Sequence, residues 1–538
     1  MTARRSFLTL AALVSLFAVS QPAASQTTRT GRLLTALGAG NGSSPFRGDR
    51  PSLTTISPNG DGFRDRAIVR FILAADASVD VKIVRTKPGP KTVYAARLRL
   101  SAGRNRFVWA PPAETQPRTY LLRLTVSDVY GRRQTYGALR ARDALGSDNV
   151  VIRVQGVDAA FGRASYRPGE TASAAISTDA KALSMQVFHA GPEAEPTTRN
   201  DAMSGVPITE PVELDWAGRR NARSQVKVPV GHWQSGLYFA RFTAADGRVG
   251  YAPFVVSPAR LGTHRLAVVL PTNTWQAYNF QDENGDGWGD TWYAAWTAHT
   301  ARLGRPFLDR GVPPHFRGYD LPFLRFMART GREADYLSDA DLDRAASSRA
   351  LARNYDAIVF PGHHEYVSAR EYALVAGYRD LGGNLAFLSA NNFFWKVVEH
   401  GPVLERIGQW RDLGRPEAAL IGAQYRGNDE GERRGPFVVR GAAAAPWLFA
   451  GTGLTDGSSF GQFGIEIDAT SAASPRGTIV LAEIPHLYGP AFTAQMTCYE
   501  TAAGSKVFAA GAFTLAGSAD HVPVRRLLEN LFDRLARP

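Results

Sequence analysis

The chain has 538 residues, 44% apolar and 21% charged, enough for about three or four domains of ordinary size and too apolar for a disordered protein. Its formal net charge is +13, but the arginines are scattered among Asp and Glu with no compact basic run. A solvated basic surface is therefore expected, with no nucleic-acid partner. A single cysteine, Cys498, excludes an intrachain disulfide and a paired-thiol zinc or redox site.

Arg4-Arg5, an apolar run from Phe7 to Val19 and the small residues Ala23, Ala24 and Ser25 predict a signal peptide over 1–25. The pair of arginines before Ser6-Phe7-Leu8 resembles a twin-arginine export signal; a general secretory signal is the alternative. The protein is thus expected to be exported, periplasmic or extracellular. No later run is long and apolar enough to predict a transmembrane segment. Residues 26–50, rich in Gly, Ser, Thr and Arg, are expected to form a flexible leader.

Residues 51–145 and 148–257 read as two all-β modules. Short β-rich runs such as Ala67-Ile-Val-Arg-Phe-Ile-Leu73 and Tyr120-Leu-Leu-Arg-Leu-Thr-Val126 show partial alternation. Tyr166-Arg-Pro-Gly-Glu170 is a turn signal ahead of further strands. Both modules resemble immunoglobulin-like sandwiches, and the entry Ile56-Ser-Pro-Asn-Gly-Asp-Gly-Phe-Arg-Asp65 resembles that of flagellar-hook-cap-like modules on secreted proteins. Such modules space or dock, so an envelope glycan or protein is their expected partner.

After Ser257-Pro258 the pattern changes. Arg265-Leu-Ala-Val-Val-Leu270, Asp356-Ala-Ile-Val-Phe360 and Asn384-Leu-Ala-Phe-Leu388 are continuous apolar runs, as in strands buried on both faces of a parallel sheet. Helical patterns lie between them, one beginning after Asp320 and one ending at Gly382-Gly383. Residues 260–538 are therefore predicted to be an α/β parallel-sheet domain of Rossmann type, similar to glutamine amidotransferases in fold. The turn Leu388-Ser-Ala-Asn-Asn392 lacks the flanking glycines of a nucleophile elbow, which disfavours amidotransfer chemistry.

In such a sheet the site lies beyond the carboxyl ends of the strands. There stand Gly362-His-His-Glu-Tyr366 and Ser389-Ala-Asn-Asn392, with Tyr278 leaving a third strand end. Glu and His can ligate a metal or move protons, and Asn can donate to an oxyanion. Asp282, Asn284, Asp286 and Asp290 alternate around Gly287 like the first part of a calcium loop, but Tyr293 stands where the distal Glu belongs. Calcium and a self-capped Asn/Asp/Gly turn are both open readings of that segment. Trp288, Trp292, Trp296, Phe393, Phe394 and Trp395 suit either sugar stacking or core.

The motifs Thr274-Trp-Gln-Ala-Tyr-Asn279, Tyr319-Asp-Leu-Pro-Phe-Leu324, Asp335-Tyr-Leu-Ser-Asp339, Gly362-His-His-Glu-Tyr366 and Gly382 through Trp395 occur together and in order. With them, residues of about 265–515 resemble the catalytic domain of the N,N-dimethylformamidase large (beta) subunit family. The resemblance implies a mononuclear ferric iron held by two tyrosines and a glutamate. Glu365 and Tyr278 match two of these ligands, and Tyr293 is the best match for the third. His363 and Asn391 match polar residues lining the site, and Arg411 stands where the family often has a lysine. The activity implied is hydrolysis of an amide or related C–N bond in a small molecule. The family enzyme works with a small subunit that this chain does not contain. A non-catalytic envelope or adhesion protein with a degenerate α/β domain is the competing expectation.

Overall fold

Alternating burial along Ala67–Leu73 places Ala67, Val69, Phe71 and Leu73 in a core and sends Arg70 to solvent. The computed structural model describes residues 31–143, 148–295 and 298–536. The expected signal peptide and Trp296 lie outside these described residues. Ala67–Leu73 pairs with Leu34–Gly40 and Gly103–Trp109 in a three-stranded sheet. The second sheet runs from Leu53–Ile56 through Val150–Val154, Arg118–Asp128 and Ala77–Arg85 to Lys91–Leu100. Val69 and Phe71 from the first sheet share one core with Val79, Val81, Leu122 and Leu124 from the second. This is a sandwich.

Two boundaries differ from expectation. The leader is not flexible throughout: Leu33 and Leu34 are buried, and Leu34–Gly40 is a strand. Its composition reads as a linker, but pairing to an existing sheet supplies the order that its own residues do not. Val150–Val154 pairs with Arg118–Asp128 and Leu53–Ile56, so it completes the first sandwich instead of opening the second. The second sandwich packs the sheet containing Asp158–Phe161, Thr171–Ser177 and Ser224–Pro229 on the sheet containing Ala182–His189, Gly236–Ala244 and Val249–Val256, around Trp216.

The C-terminal region is built on one 11-stranded mixed sheet. Asp335–Ser338, Leu266–Leu270, Ala357–Phe360, Asn384–Phe387 and Lys506–Ala509 lie side by side in that order, all parallel. Leu266–Leu270 and Ala357–Phe360 are buried at every position, as their unbroken apolar runs require. Beyond Lys506–Ala509 the sheet continues with antiparallel strands, among them Ala494–Glu500, Ile479–Ile484, Arg434–Val439 and Ser459–Ala469. This corrects the expected Rossmann-type α/β domain. Helices are few among the described residues, and much of the sheet is built from antiparallel pairs, which need no crossover helix. The longest helices are Leu321–Arg329, Ala369–Asp380 and Val524–Leu535. No helix among the described residues is long and apolar enough to cross a membrane.

Candidate active site

The strand order reverses between Leu266–Leu270 and Ala357–Phe360: the chain leaves the first toward one side of the sheet and returns on the other. Such a reversal opens a crevice at the carboxyl ends of the strands. Leu266–Leu270 runs through Pro271 into the short helix Thr272–Ala277, which Tyr278 terminates. Ala357–Phe360 runs into Gly362-His363-His364-Glu365. Gly362 is required by close approach, since a Cβ there would lie 2.8 Å from Pro271 and 2.9 Å from Asp320 Oδ1. The Glu365 amide donates to Thr274 Oγ1 at 3.2 Å, tying the two strand ends together. The Asn392 amide oxygen accepts from the His364 N–H at 3.1 Å, tying in the third.

Tyr278 Oη donates to Glu365 Oε2 at 2.8 Å, and Tyr293 Oη reaches the same oxygen at 3.4 Å. The two phenol rings stack with centroids 4.5 Å apart. Tyr293 Oη also hydrogen-bonds Tyr366 Oη, so Tyr366 is a further phenol in the cluster. His363 Nε2 lies 3.4 Å from Glu365 Oε2 and 3.3 Å from Glu466 Oε2. His363, Glu365, Glu466 and Tyr366 are buried, whereas Tyr278 and Tyr293 are half-buried and reached by water. The structure thus brings together four of the expected residues: Tyr278, Tyr293, Glu365 and His363.

The electrostatics are those of an anionic hole. Burial raises the Glu365 carboxyl, with His363 opposing and Glu466 adding to the rise. Burial and the Glu365 charge push the Tyr278 and Tyr293 phenols well above their ordinary value. For His363, burial works against the charged form, but Glu466 and Glu365 outweigh it and raise its pKa.

Glu466 was not singled out in the sequence. It sits in Ser459–Ala469, where Gly464-Ile-Glu-Ile-Asp468 reads as an ordinary half-buried strand. Ile465 adopts φ 69°, and the strand's register with Ala512–Phe513 shifts between Gly464 and Ile467. A bulge of this kind re-aims a side chain. Two residues on, Asp468 Oδ1 accepts the Asn391 N–H at 2.9 Å and holds that residue at φ 53°.

The other predicted site residues are placed as follows. Asn391 is buried, and its amide oxygen lacks a hydrogen-bond partner. Arg411 is engaged elsewhere: its Nε lies 3.2 Å from both Glu417 carboxylate oxygens, its guanidinium reaches the Tyr425 carbonyl, and it stacks over Phe394. Asp282 accepts the Gly285 and Gly287 N–H groups at 2.7 Å, Asp286 that of Trp288 at 2.8 Å, and Asp290 that of Glu283 at 3.1 Å. The Asn284 amide nitrogen donates to Asp290. These hydrogen bonds tie the turn to its own backbone N–H groups. Cys498 is half-buried and its thiol is pushed up to about 11 by burial, which leaves little thiolate for nucleophilic work.

The segment carrying Tyr293 is clamped by both sandwiches. Trp288 is buried among Leu53, Leu121, Ala138 and Val151 of the first. Thr86 Oγ1 donates to the Gly287 carbonyl at 2.9 Å, and Arg223 of the second sandwich pairs with Glu283 at 2.7 Å. Trp292, Phe393 and Phe394 are buried too, so these aromatics are core.

Comparison with solved structures yields alignments of low overall similarity. Trypsin-activated alpha-2-macroglobulin from Escherichia coli is 13% identical, with 42% of this chain and 16% of that chain covered at a TM-score of 0.25. Salmonella alpha-2-macroglobulin reacted with methylamine is 11% identical, with 41% and 16% covered at 0.22. The aligned part of the chain thus spans about a sixth of the length of those proteins. No curated protein matches the chain. The family model described as N,N-dimethylformamidase beta subunit-like, C-terminal, matches residues 194–525, more than half of the chain, and reaches back beyond residue 265 into the second sandwich. The chain therefore belongs to the N,N-dimethylformamidase beta subunit-like family.

Proposed function

We propose that the protein is an exported hydrolase of an amide or related C–N bond, with a mononuclear iron held by Tyr278, Tyr293 and Glu365. The observation that carries this reading is the convergence of two phenol oxygens on one carboxylate oxygen, at 2.8 and 3.4 Å. The donor set fits the group. Phenolate and carboxylate are hard anionic oxygens that suit a ferric ion. Burial beside Glu365 opposes ionisation of both phenols, and a bound cation inverts that balance. His363 Nε2 and Glu466 Oε2 are buried without a hydrogen-bond partner at the same place, as expected of a centre shaped for something more than its own side chains.

When bound, the metal supplies Lewis acidity toward an amide carbonyl and toward water. The chain's own residues do the rest. His363, between Glu365 and Glu466, takes and returns a proton at Nε2. Glu466 lies beside that imidazole and favours its charged form. Asn391 is the candidate donor to the developing oxyanion; one such donor is worth about 3 kcal/mol. Tyr366 braces Tyr293 through its hydroxyl, and the Trp292 indole N–H braces Tyr366 at 3.4 Å. The deciding experiment is metal analysis of the full chain from iron-replete cells, alongside a screen for amine release from small amides. Absence of bound iron removes the iron centre from this reading, and absence of turnover across the amide panel favours the non-catalytic alternative.

A further inference from the structure

The ammonium of Lys87 belongs to the first sandwich, yet it lies 3.6 Å from the centroid of Phe280, at the start of the segment that carries Tyr293. The Phe280 ring in turn packs on Tyr293 at 6.5 Å. We propose that Lys87 is a specificity residue of the site and that the amide substrate carries a carboxylate, which Lys87 receives at the rim. This rests on the hydrolase reading above for the word substrate; the binding it predicts stands apart from turnover.

The placement of Lys87 is built. The Arg118 guanidinium donates to the Lys87 carbonyl at 2.8 Å, and the neighbouring Thr86 hydroxyl donates to the Gly287 carbonyl at 2.9 Å. The turn is thereby fixed both to its own sandwich and to the site's loop. Lys87 and Phe280 are half-buried, as are Tyr278 and Tyr293, so each is open to solvent in part. A second aromatic series leads from His315 to His363. His315 stacks on Tyr319 at 4.9 Å, Tyr319 meets Phe513 at 5.4 Å, and Phe513 meets His363 at 4.7 Å. His315 is exposed and held at φ 60°, a conformation a non-glycine residue seldom adopts.

Charge then orients the ligand. At the inner end Glu466, which is outside the proposed ligand set, stands 3.3 Å from His363 Nε2 and disfavours an anion there. Lys87 at the outer end is partly desolvated, and no carboxylate among the described residues lies within ion-pair distance of it. Glu430 is the carboxylate whose field it feels, and that side chain lies 3.5 Å from the Asn428 amide. A ligand with an amide at one end and a carboxylate at the other therefore enters amide first. The Phe280 ring face attracts the Lys87 ammonium and holds it in place.

The test compares N-formylglycine, which has the carboxylate, with N-methylformamide, which lacks it. Calorimetry on the full chain measures both affinities in the wild type, Lys87→Met and Lys87→Arg. The expected result is a preference for N-formylglycine of about tenfold or more, collapsing toward one in Lys87→Met and largely restored in Lys87→Arg. No preference in the wild type, no binding of N-formylglycine, or a preference that survives Lys87→Met overturns the inference. A Lys87-dependent preference without turnover of any amide supports it while removing the hydrolase reading. Turnover without that preference does the reverse.

Discussion

Tyr278 and Tyr293 stack face to face with ring centroids 4.5 Å apart, and both hydroxyls point to the same oxygen of Glu365. The two phenols come from opposite ends of a loop whose middle is gripped by the N-terminal sandwiches. The site is therefore a joint product of the C-terminal sheet and of modules that otherwise look like spacers.

Replacing Glu365 by Ala removes the shared oxygen. Wild-type protein is expected to carry about one iron per chain with a visible phenolate-to-iron absorption band, and the variant to have lost both while retaining its far-ultraviolet dichroism. Metal analysis and absorption spectra check this; full metal retention in Glu365→Ala overturns the ligand assignment.

His363→Ala separates proton transfer from metal holding. Its Nε2 stands between two carboxylates and is not one of the proposed ligands. Turnover is expected to fall by about 10²- to 10⁴-fold with iron content kept. Loss of iron together with activity makes His363 a structural or ligating group instead.

Trp288→Ala tests the clamp. The indole is buried against Leu53, Leu121 and Val151 of the first sandwich, and truncation there costs about 3–5 kcal/mol. Unfolding in urea is expected to begin at lower denaturant, with early proteolysis between 280 and 295. An unaltered denaturation midpoint refutes the clamp.

Asp320 links stability to pH. It is buried, one of its oxygens lacks a partner, and burial raises its pKa to about 7, against hydrogen bonding from Trp275 and the nearby His363. A raised carboxyl means that the folded state holds the proton more tightly than the unfolded state. Its contribution is complete below the unfolded value, near 3.8, and is lost as pH rises through about 7. Wild-type stability is expected to decline across that window by an amount on the order of 2–4 kcal/mol. Asp320→Asn flattens the decline, and no helix cap is lost because Asp320 makes no side-chain cap bond. An equal slope in both proteins excludes Asp320 as its source.

The turn over 282–290 is satisfied by its own N–H groups. A calcium chelator is therefore expected to leave the melting temperature in place. A calcium-dependent rise in that temperature, lost in Asp282→Asn, decides for the calcium reading.

Much of this architecture is legible in the sequence because burial writes a period into the chain. Alternation along Ala67–Leu73 places one face in a sandwich core, and the unbroken apolar runs of Leu266–Leu270 and Ala357–Phe360 place those strands inside a sheet. Strand ends follow from such runs, which is why Tyr278, His363 and Glu365 stand out in the sequence alone. Other features have no local signature. Glu466 depends on a bulge at Ile465 and on pairing across the sheet, and its strand reads as ordinary alternation. The antiparallel half of the sheet is decided by which strands find each other, since short β-rich runs carry no mark of partner or direction. Lys87 reaches Phe280 across almost two hundred residues of chain, by packing alone. Sequence by itself determined that runs such as Ala67–Leu73, Leu266–Leu270 and Ala357–Phe360 are strands and where one rim of chemistry lies. Only the tertiary structure decided what else meets at that rim, because long-range contacts are set by shape and burial summed over the whole molecule and not by any one stretch of it.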